Sequence, residues 1–394
     1  MTVARRPPAG PERAATPAGT TLSPLAFAAA CGTFLLIGAL LAIYGPILGQ
    51  LARRFDVGLP TAGIVVSAHF CGAFVGAVAA MAVIERVPAR LAMTASLGLL
   101  ALGCAGVAAA PSWAVLLAAV LVVGLGFGGL DLGFNQLLTH SGRSPARLNL
   151  LNAQFGIGAV AGPLLVAATG EGSWRGLYAA AAVVAVVLAL GLRGLSGRLR
   201  APVADDGRTR RSGWSPLVAM FVAGFVLYVG AEVSVGGWMP THLGQLGYGS
   251  AAAAALTSGF WCALAVGRLL VAPVATRAPA RVIVLAAISA ASLMLLLALV
   301  TPLAPVGYLL AGLAFAPVFP TGLIWLAQLH PGNPRSTSWL LVAALVGGVL
   351  FPPVVGAVIE RFGATRAPAV LAVVAAGSLA AFLAAARYRP DPAG

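Results

Sequence analysis

Twelve long apolar runs, broken by short stretches of proline, glycine and arginine, constrain this chain more than any other feature. They fall near residues 23–48, 60–84, 90–109, 112–139, 146–169 and 174–193, then 214–240, 250–275, 281–300, 304–329, 336–359 and 367–386. A hydrocarbon core roughly 30 Å thick takes about 20 apolar residues per helix. Only helices or closed barrels satisfy their own backbone there, and runs of this length are helical. The expected fold is therefore an all-α integral membrane protein of twelve transmembrane helices. With 60% hydrophobic and 9% charged residues over 394 positions, no water-soluble fold could hide the apolar surface.

The charges that remain are ordered. All 24 basic residues are arginine against ten acids, a net charge of +14. Such a balance in a soluble protein would suggest nucleic acid, but these arginines lie between apolar runs. With both chain ends placed in the cytoplasm, eighteen arginines fall on inner segments and five on outer ones, with Arg268 inside a span. That bias orients the helices in a cell's inner (plasma) membrane, both termini inside, and excludes a nucleic-acid partner. Residues 1–22, rich in Pro, Ala and Gly, are expected to be a disordered cytoplasmic tail, and 387–394 a second one.

The longest interior connection, the basic segment 194–213, separates residues 23–193 from 214–386, six spans from six. A gapless shift of 191 supports a repeat: Ser67, Cys71, Gly76, Arg86, Pro88 and Arg90 fall on Ser258, Cys262, Gly267, Arg277, Pro279 and Arg281. A shift of 188 sets Gly124, Leu125 and Phe127 on Gly312, Leu313 and Phe315. Two pseudo-symmetric six-helix domains, related by an axis along the membrane normal, follow.

The segment MAVIERVPARL between spans two and three resembles the GxxxDRxGRR loop of major facilitator transporters, with Glu85 at the acidic position and Arg86 and Arg90 at basic ones; Met81 and Pro88 stand where that loop has glycines. The resemblance implies a gating or interdomain role for these three. GLGFGGLDLGFNQ (124–136), NLLNAQFGIGAVAGP (149–163), YVGAEVSVGGWMPTHL (228–243) and FWCALAVGRLL (260–270) resemble the fucose permease group of sugar:proton symporters. That resemblance also implies a carboxylate in the first span, yet 23–48 contains none. Gly158, Gly162 and Pro163 resemble part of the motif of drug antiporters, which leaves proton-driven export as the alternative to uptake.

A charge in hydrocarbon costs at least a few kcal/mol, so ionisable residues within spans face a cavity or a partner. Asp131 and Asn135, at i and i+4, share a face of span four. A carboxylate there can take and release a proton while the amide binds a hydroxyl; the alternative is a structural hydrogen bond to a neighbouring helix. Glu232 in span seven is a proton carrier, a solute ligand, or a group held beside Gly236 and Gly237. Arg268 lies at a depth close to that of Asp131, which allows an interdomain ion pair, a snorkelling role or fixed packing. Asn152 and His69 are further polar candidates, each with helix packing as the alternative. Trp238 and Trp261 offer indole faces that stack on a sugar ring, or fill helix junctions.

No GxSxG, HExxH or phosphate-binding loop appears, and the four cysteines lie apart in apolar runs without metal-ligand spacing. The expectation is therefore a transporter rather than an enzyme, without metal or cofactor. It would act as a monomer in the lipid bilayer and move a small hydroxylated solute, a sugar, with protons.

Overall fold

The computed structural model describes residues 21–83, 86–140, 145–197, 215–329 and 334–388. Glu85, most of the 194–213 connection, and the tails 1–20 and 389–394 lie outside the described residues. Among the described residues, twelve segments are long and apolar enough to cross a membrane.

The first six spans comprise α1 (Pro24–Ala42) with its continuation α2 (Tyr44–Phe55), α3 (Leu59–Val83), α4 (Ala89–Ala109), α5 (Trp113–His140), α6 (Pro145–Thr169) and α7 (Trp174–Gly191). The second six comprise α8 (Pro216–Gln245), α9 (Ser250–Ala275), α10 (Ala280–Leu297), α11 (Ala304–Phe315) with α12 (Val318–Leu329), α13 (Pro334–Phe362) and α14 (Ala367–Arg387). Spans one and ten break for the same reason. Pro46 cannot donate to the carbonyl of Ala42, nor Pro317 to that of Leu313, so the i→i−4 ladder is interrupted at each.

Each half opens on Ser-Pro-Leu. Ser23 Oγ accepts the Ala26 amide at 3.1 Å and Ser215 Oγ the Val218 amide at 3.3 Å. The serine caps the orphan amides, and proline takes the first helical position, where its missing N–H costs nothing. Thr21–Leu22 pairs antiparallel with Leu195–Ser196, and the Ala89 amide donates to Gly197. The end of the leading tail, which was expected to be disordered, is thus tied to the start of the connection. This pairing and the end of α14 place the described ends of the chain, Thr21 and Tyr388, on one face.

The repeat shows in the helix contacts. A Cβ on Gly76 would overlap the carbonyl of Leu125, and one on Gly267 would come within 2.8 Å of the carbonyl of Leu313. These pairs are mates under the shifts of 191 and 188. Gly158 meets Leu35 and Ala39 just as Gly347 meets Val226 and Gly230. Small residues let backbones approach where lipid removes the hydrophobic drive between helices. The two halves touch chiefly along α3 against α13 and α6 against α9, with α2 against α8 nearer the face opposite the chain ends.

Candidate functional site

A cavity of about 780 Å³ lies between the halves, a size suited to a small organic molecule. It runs from mid-membrane toward the face that carries the chain ends, reaching Met81 and Gln136 near the ends of α3 and α5. On the opposite side the halves close on one another. A Cβ on Gly45 would overlap the carbonyl of Gly236, and one on Gly63 would come within 3.0 Å of Pro352 O and of the Trp238 ring.

Six of the candidate residues line this cavity: Asp131, Asn135, Asn152, Glu232, Trp261 and Arg268. On the first-half wall, Asn135 Nδ2 donates to Asp131 Oδ1 at 3.1 Å, and Asn152 Nδ2 donates to Asn135 Oδ1 at 3.3 Å. The i+4 spacing on α5 and the approach of α6 make a short ladder that ends on a carboxylate. Among the described residues the ion pair within 4 Å is Arg53 with Glu171 at 3.2 Å on the surface. Asp131 therefore faces the cavity with amides beside it and no cation within 4 Å among the described residues.

The second-half wall is different. The Tyr228 hydroxyl donates to Glu232 Oε2, one helical turn away on α8. The Arg268 guanidinium, on α9, acts electrostatically on both. The sequence allowed Arg268 to pair with Asp131 across the halves; it instead shares a cluster with Glu232 in its own half. Tyr228 and Gln136 line the cavity but were not among the sequence candidates. The signal for Tyr228 was its i−4 position relative to Glu232.

Trp261 is 7% exposed, and its indole N–H has no partner among the described residues. It stands at the roof, its ring edge against Gly236. The rings of Phe70, Phe127, Phe155 and Phe319 complete an aromatic lining.

Two candidates lie elsewhere, and the expectation of a cavity role is corrected for both. Trp238 is fully buried above the cavity, its Nε1 donating to Pro352 O at 2.8 Å. His69 is fully buried, with Nδ1 at 3.0 Å from the Tyr44 hydroxyl and Phe127 edge-on at 4.8 Å. The sequence could not tell these from cavity residues because α3 and α8 are apolar on all sides, so no stripe marks the cavity face. Arg86 and Arg90 are exposed on the chain-end face, away from the cavity lining.

The profile of the Major Facilitator Superfamily matches residues 27–337. The chain belongs to that family. It is accordingly a multi-pass membrane transporter of small solutes rather than an enzyme. Among curated relatives it is similar to the human sodium-dependent glucose transporter 1, 24% identical over 83% of this chain and 72% of that one. It is also similar to the gentisate transporter of Corynebacterium glutamicum, 26% identical over 80% and 77% respectively. A solved nucleoside transporter superposes with a TM-score of 0.74 at 16% identity, covering 93% of this chain and 99% of that one. The fucose permease group, which the motifs suggested as nearest, is not singled out. The fucose:proton symporter superposes at 0.62 with 18% identity, covering 92% of this chain and 99% of that one. The likeness extends across several transporters of different solutes.

Proposed function

We propose that this transporter takes up a small hydroxylated solute together with a proton by alternating access, and that Asp131 carries the proton. The observation that carries this reading is the contrast between its two cavity carboxylates. Glu232 accepts from the Tyr228 hydroxyl and has the Arg268 guanidinium within electrostatic reach, which offsets part of its charge. Asp131 has only amides. A carboxylate inside the membrane without a countercharge calls for a cation, and the smallest available is a proton. The asparagine ladder beside it offers donors and acceptors to hydroxyl groups, while the aromatic rings suit the flat face of a sugar. Relatives named for glucose and gentisate, and folds named for nucleoside and xylose, are compatible with such a cavity. The arginine bias puts the chain ends in the cytoplasm, so the cavity described here opens inward. The two halves of a single chain enclose it, which supports action as a monomer. Arg86, Arg90 and Glu85 would act at the inner gate, where the closing halves bring their loops together.

The test is uptake into proteoliposomes of labelled glucose, xylose, uridine and gentisate, driven in separate arms by a pH gradient and by a sodium gradient. Accumulation under the pH gradient, abolished in Asp131→Asn while solute exchange persists, is the expected result. Accumulation under sodium alone would remove the proton from the mechanism. Outward movement of an apolar dye, with none of the four solutes moving, would replace uptake by export.

A further inference from the structure

Ser67 and Ser258, mates under the 191-residue shift, each reach across the boundary between the halves. Ser67 Oγ on α3 donates to Val349 O on α13 at 2.6 Å, and Ser258 Oγ on α9 donates to Val160 O on α6 at 2.5 Å. The acceptors are mates as well, and the same offset carries Pro163 onto Pro352. Each serine therefore binds the carbonyl three residues before a helix-interior proline. A proline explains the first acceptor. Pro353 cannot donate to Val349 O, so the Ser67 hydroxyl completes the ladder there; Val160 O still faces the Leu164 amide, and Ser258 adds a second donor to it.

Their position gives the pair a further meaning. Each serine stands eight residues in from the start of its helix, about 12 Å from the face opposite the chain ends. One turn further in, Phe70 and Trp261 begin the cavity. The two bonds thus lie at one depth on the two separate seams between the halves. They mark the level at which the closed side becomes the open side.

We infer that Ser67 and Ser258 are positioning residues: their two hydrogen bonds define the line about which the halves rock, and they persist while the ends of the molecule exchange contact. The argument is geometric. Two points fixed on opposite sides of a cavity leave one rotation free, and that rotation opens one end as it closes the other. A relative rotation of about 15° acting over half of a 30 Å membrane moves each end by about 4 Å, whereas groups within one turn of the line move less than about 2 Å. Contacts nearer the outer face, such as Gly58 with the Glu360 carboxylate, nine residues from Ser67, are far enough from the line to separate. The inference rests on alternating access but not on the identity of solute or coupling ion.

Two native cysteines report on it. Cys71 and Cys262 each lie one turn from a serine, the first half-buried and the second exposed. With Cys31 and Cys104 replaced by alanine, nitroxides on Cys71 and Cys262 measure a distance along the line in full-length protein in lipid nanodiscs without solute. A pair at Gly58→Cys and Glu360→Cys measures the outer end, and one at Arg86→Cys and Arg277→Cys the inner end. Gly356→Leu, which drives a side chain against Leu59 and Pro60 at the outer end of the α3–α13 seam, or Gly63→Val should the first not fold, wedges the closed side apart. The expected result is an outer distance longer by about 4 Å, a shorter inner distance and a Cys71–Cys262 distance constant within about 2 Å. Ser67→Ala with Ser258→Ala should broaden the Cys71–Cys262 distribution. A Cys71–Cys262 distance that shifts as far as the outer pair would make the bonds latches that break, and overturn the inference. So would alanine variants that leave all three distributions unchanged, or wedges that fold but move no pair. None of these outcomes depends on uptake, so a failure here is separate from a failure of proton-coupled transport.

Discussion

One uncompensated carboxylate in the cavity implies one proton per solute, and that number can be measured. On the proposed reading Glu232 and Arg268, which share a cluster with Tyr228, offset one another, and Asp131 is the charge that the proton neutralises. Each unit of pH gradient is then worth about 1.4 kcal/mol, a tenfold accumulation of a neutral solute at zero potential. A further 100 mV, negative inside, adds about 2.3 kcal/mol, or roughly fiftyfold. In proteoliposomes clamped at zero potential, the logarithm of the accumulation ratio should rise with a slope of one against the pH difference. Asp131→Asn keeps the shape of the side chain and its neighbours Asn135 and Asn152, and its slope should be zero while exchange of labelled for unlabelled solute continues. Glu232→Gln should keep the slope of one and raise the half-saturating concentration. A slope of two in the native protein, or an unchanged slope in Asp131→Asn, would refute the assignment of coupling to this carboxylate.

The Glu232 cluster should behave as a unit: Arg268→Ala alone should lower stability by about 1–3 kcal/mol, and the double variant with Glu232→Gln should lose less than the sum, read from thermal unfolding in detergent. Strict additivity would show that the two groups are not coupled. His69→Phe leaves the buried Tyr44 hydroxyl without its partner and should cost about 1–3 kcal/mol. Because neither ring lines the cavity, the half-saturating concentration for transport should not change. Gly128→Ala drives a methyl into the carbonyl of Ala73, whereas Gly98 has nothing within 4 Å of a new Cβ. The first should unfold at a distinctly lower temperature, while Gly98→Ala should gain up to about 1 kcal/mol from helix propensity.

The fold was legible because membrane helices announce themselves by length and hydropathy, and the repeat because shared offsets survive in both halves. Even the breaks in spans one and ten have a written cause in Pro46 and Pro317. Site residues were legible only where burying a polar group is costly. Asp131, Glu232 and Arg268 had to face something other than lipid, and all three line the cavity. His69 and Trp238 carried the same signal, but His69 Nδ1 is met by Tyr44 and Trp238 Nε1 by Pro352, while His69 Nε2 is buried without a partner among the described residues. Composition shows that a polar atom needs a partner, and only packing shows whether protein or solute supplies it. The tie between residues 21–22 and 195–196 was hidden for a related reason. Two backbone segments far apart in sequence meet there without any side-chain pattern to mark them.

The repeat and the cavity together explain why the chemistry sits where it does. Under the 191-residue shift, Phe70 and Trp261, Ala73 and Leu264, Ala77 and Arg268, and Leu41 and Glu232 are mates, and all eight line the cavity. Under the shift of 188, Asp131 corresponds to Phe319, again a lining residue. The walls are thus symmetric in position and asymmetric in character: each ionisable group faces the cavity from a place where its mate is apolar. A symmetric site would have put two carboxylates or two guanidinium groups at equivalent depths, with like charges opposed across a poorly screened space. Breaking the symmetry lets the second half hold a compensated acid and base while the first half holds a lone acid. The scaffold contacts, by contrast, keep the symmetry, from Gly76 and Gly267 to Ser67 and Ser258. Rocking requires the two seams to move alike, whereas coupling requires the two walls to differ. The swap Asp131→Phe with Phe319→Asp would separate these demands. It preserves the positions and moves the lone carboxylate to the wall that already holds Glu232 and Arg268. The expected outcome is retained folding, judged by an unchanged unfolding temperature, with accumulation under a pH gradient lost. Retained accumulation would show that the side of the cavity on which the acid stands is immaterial.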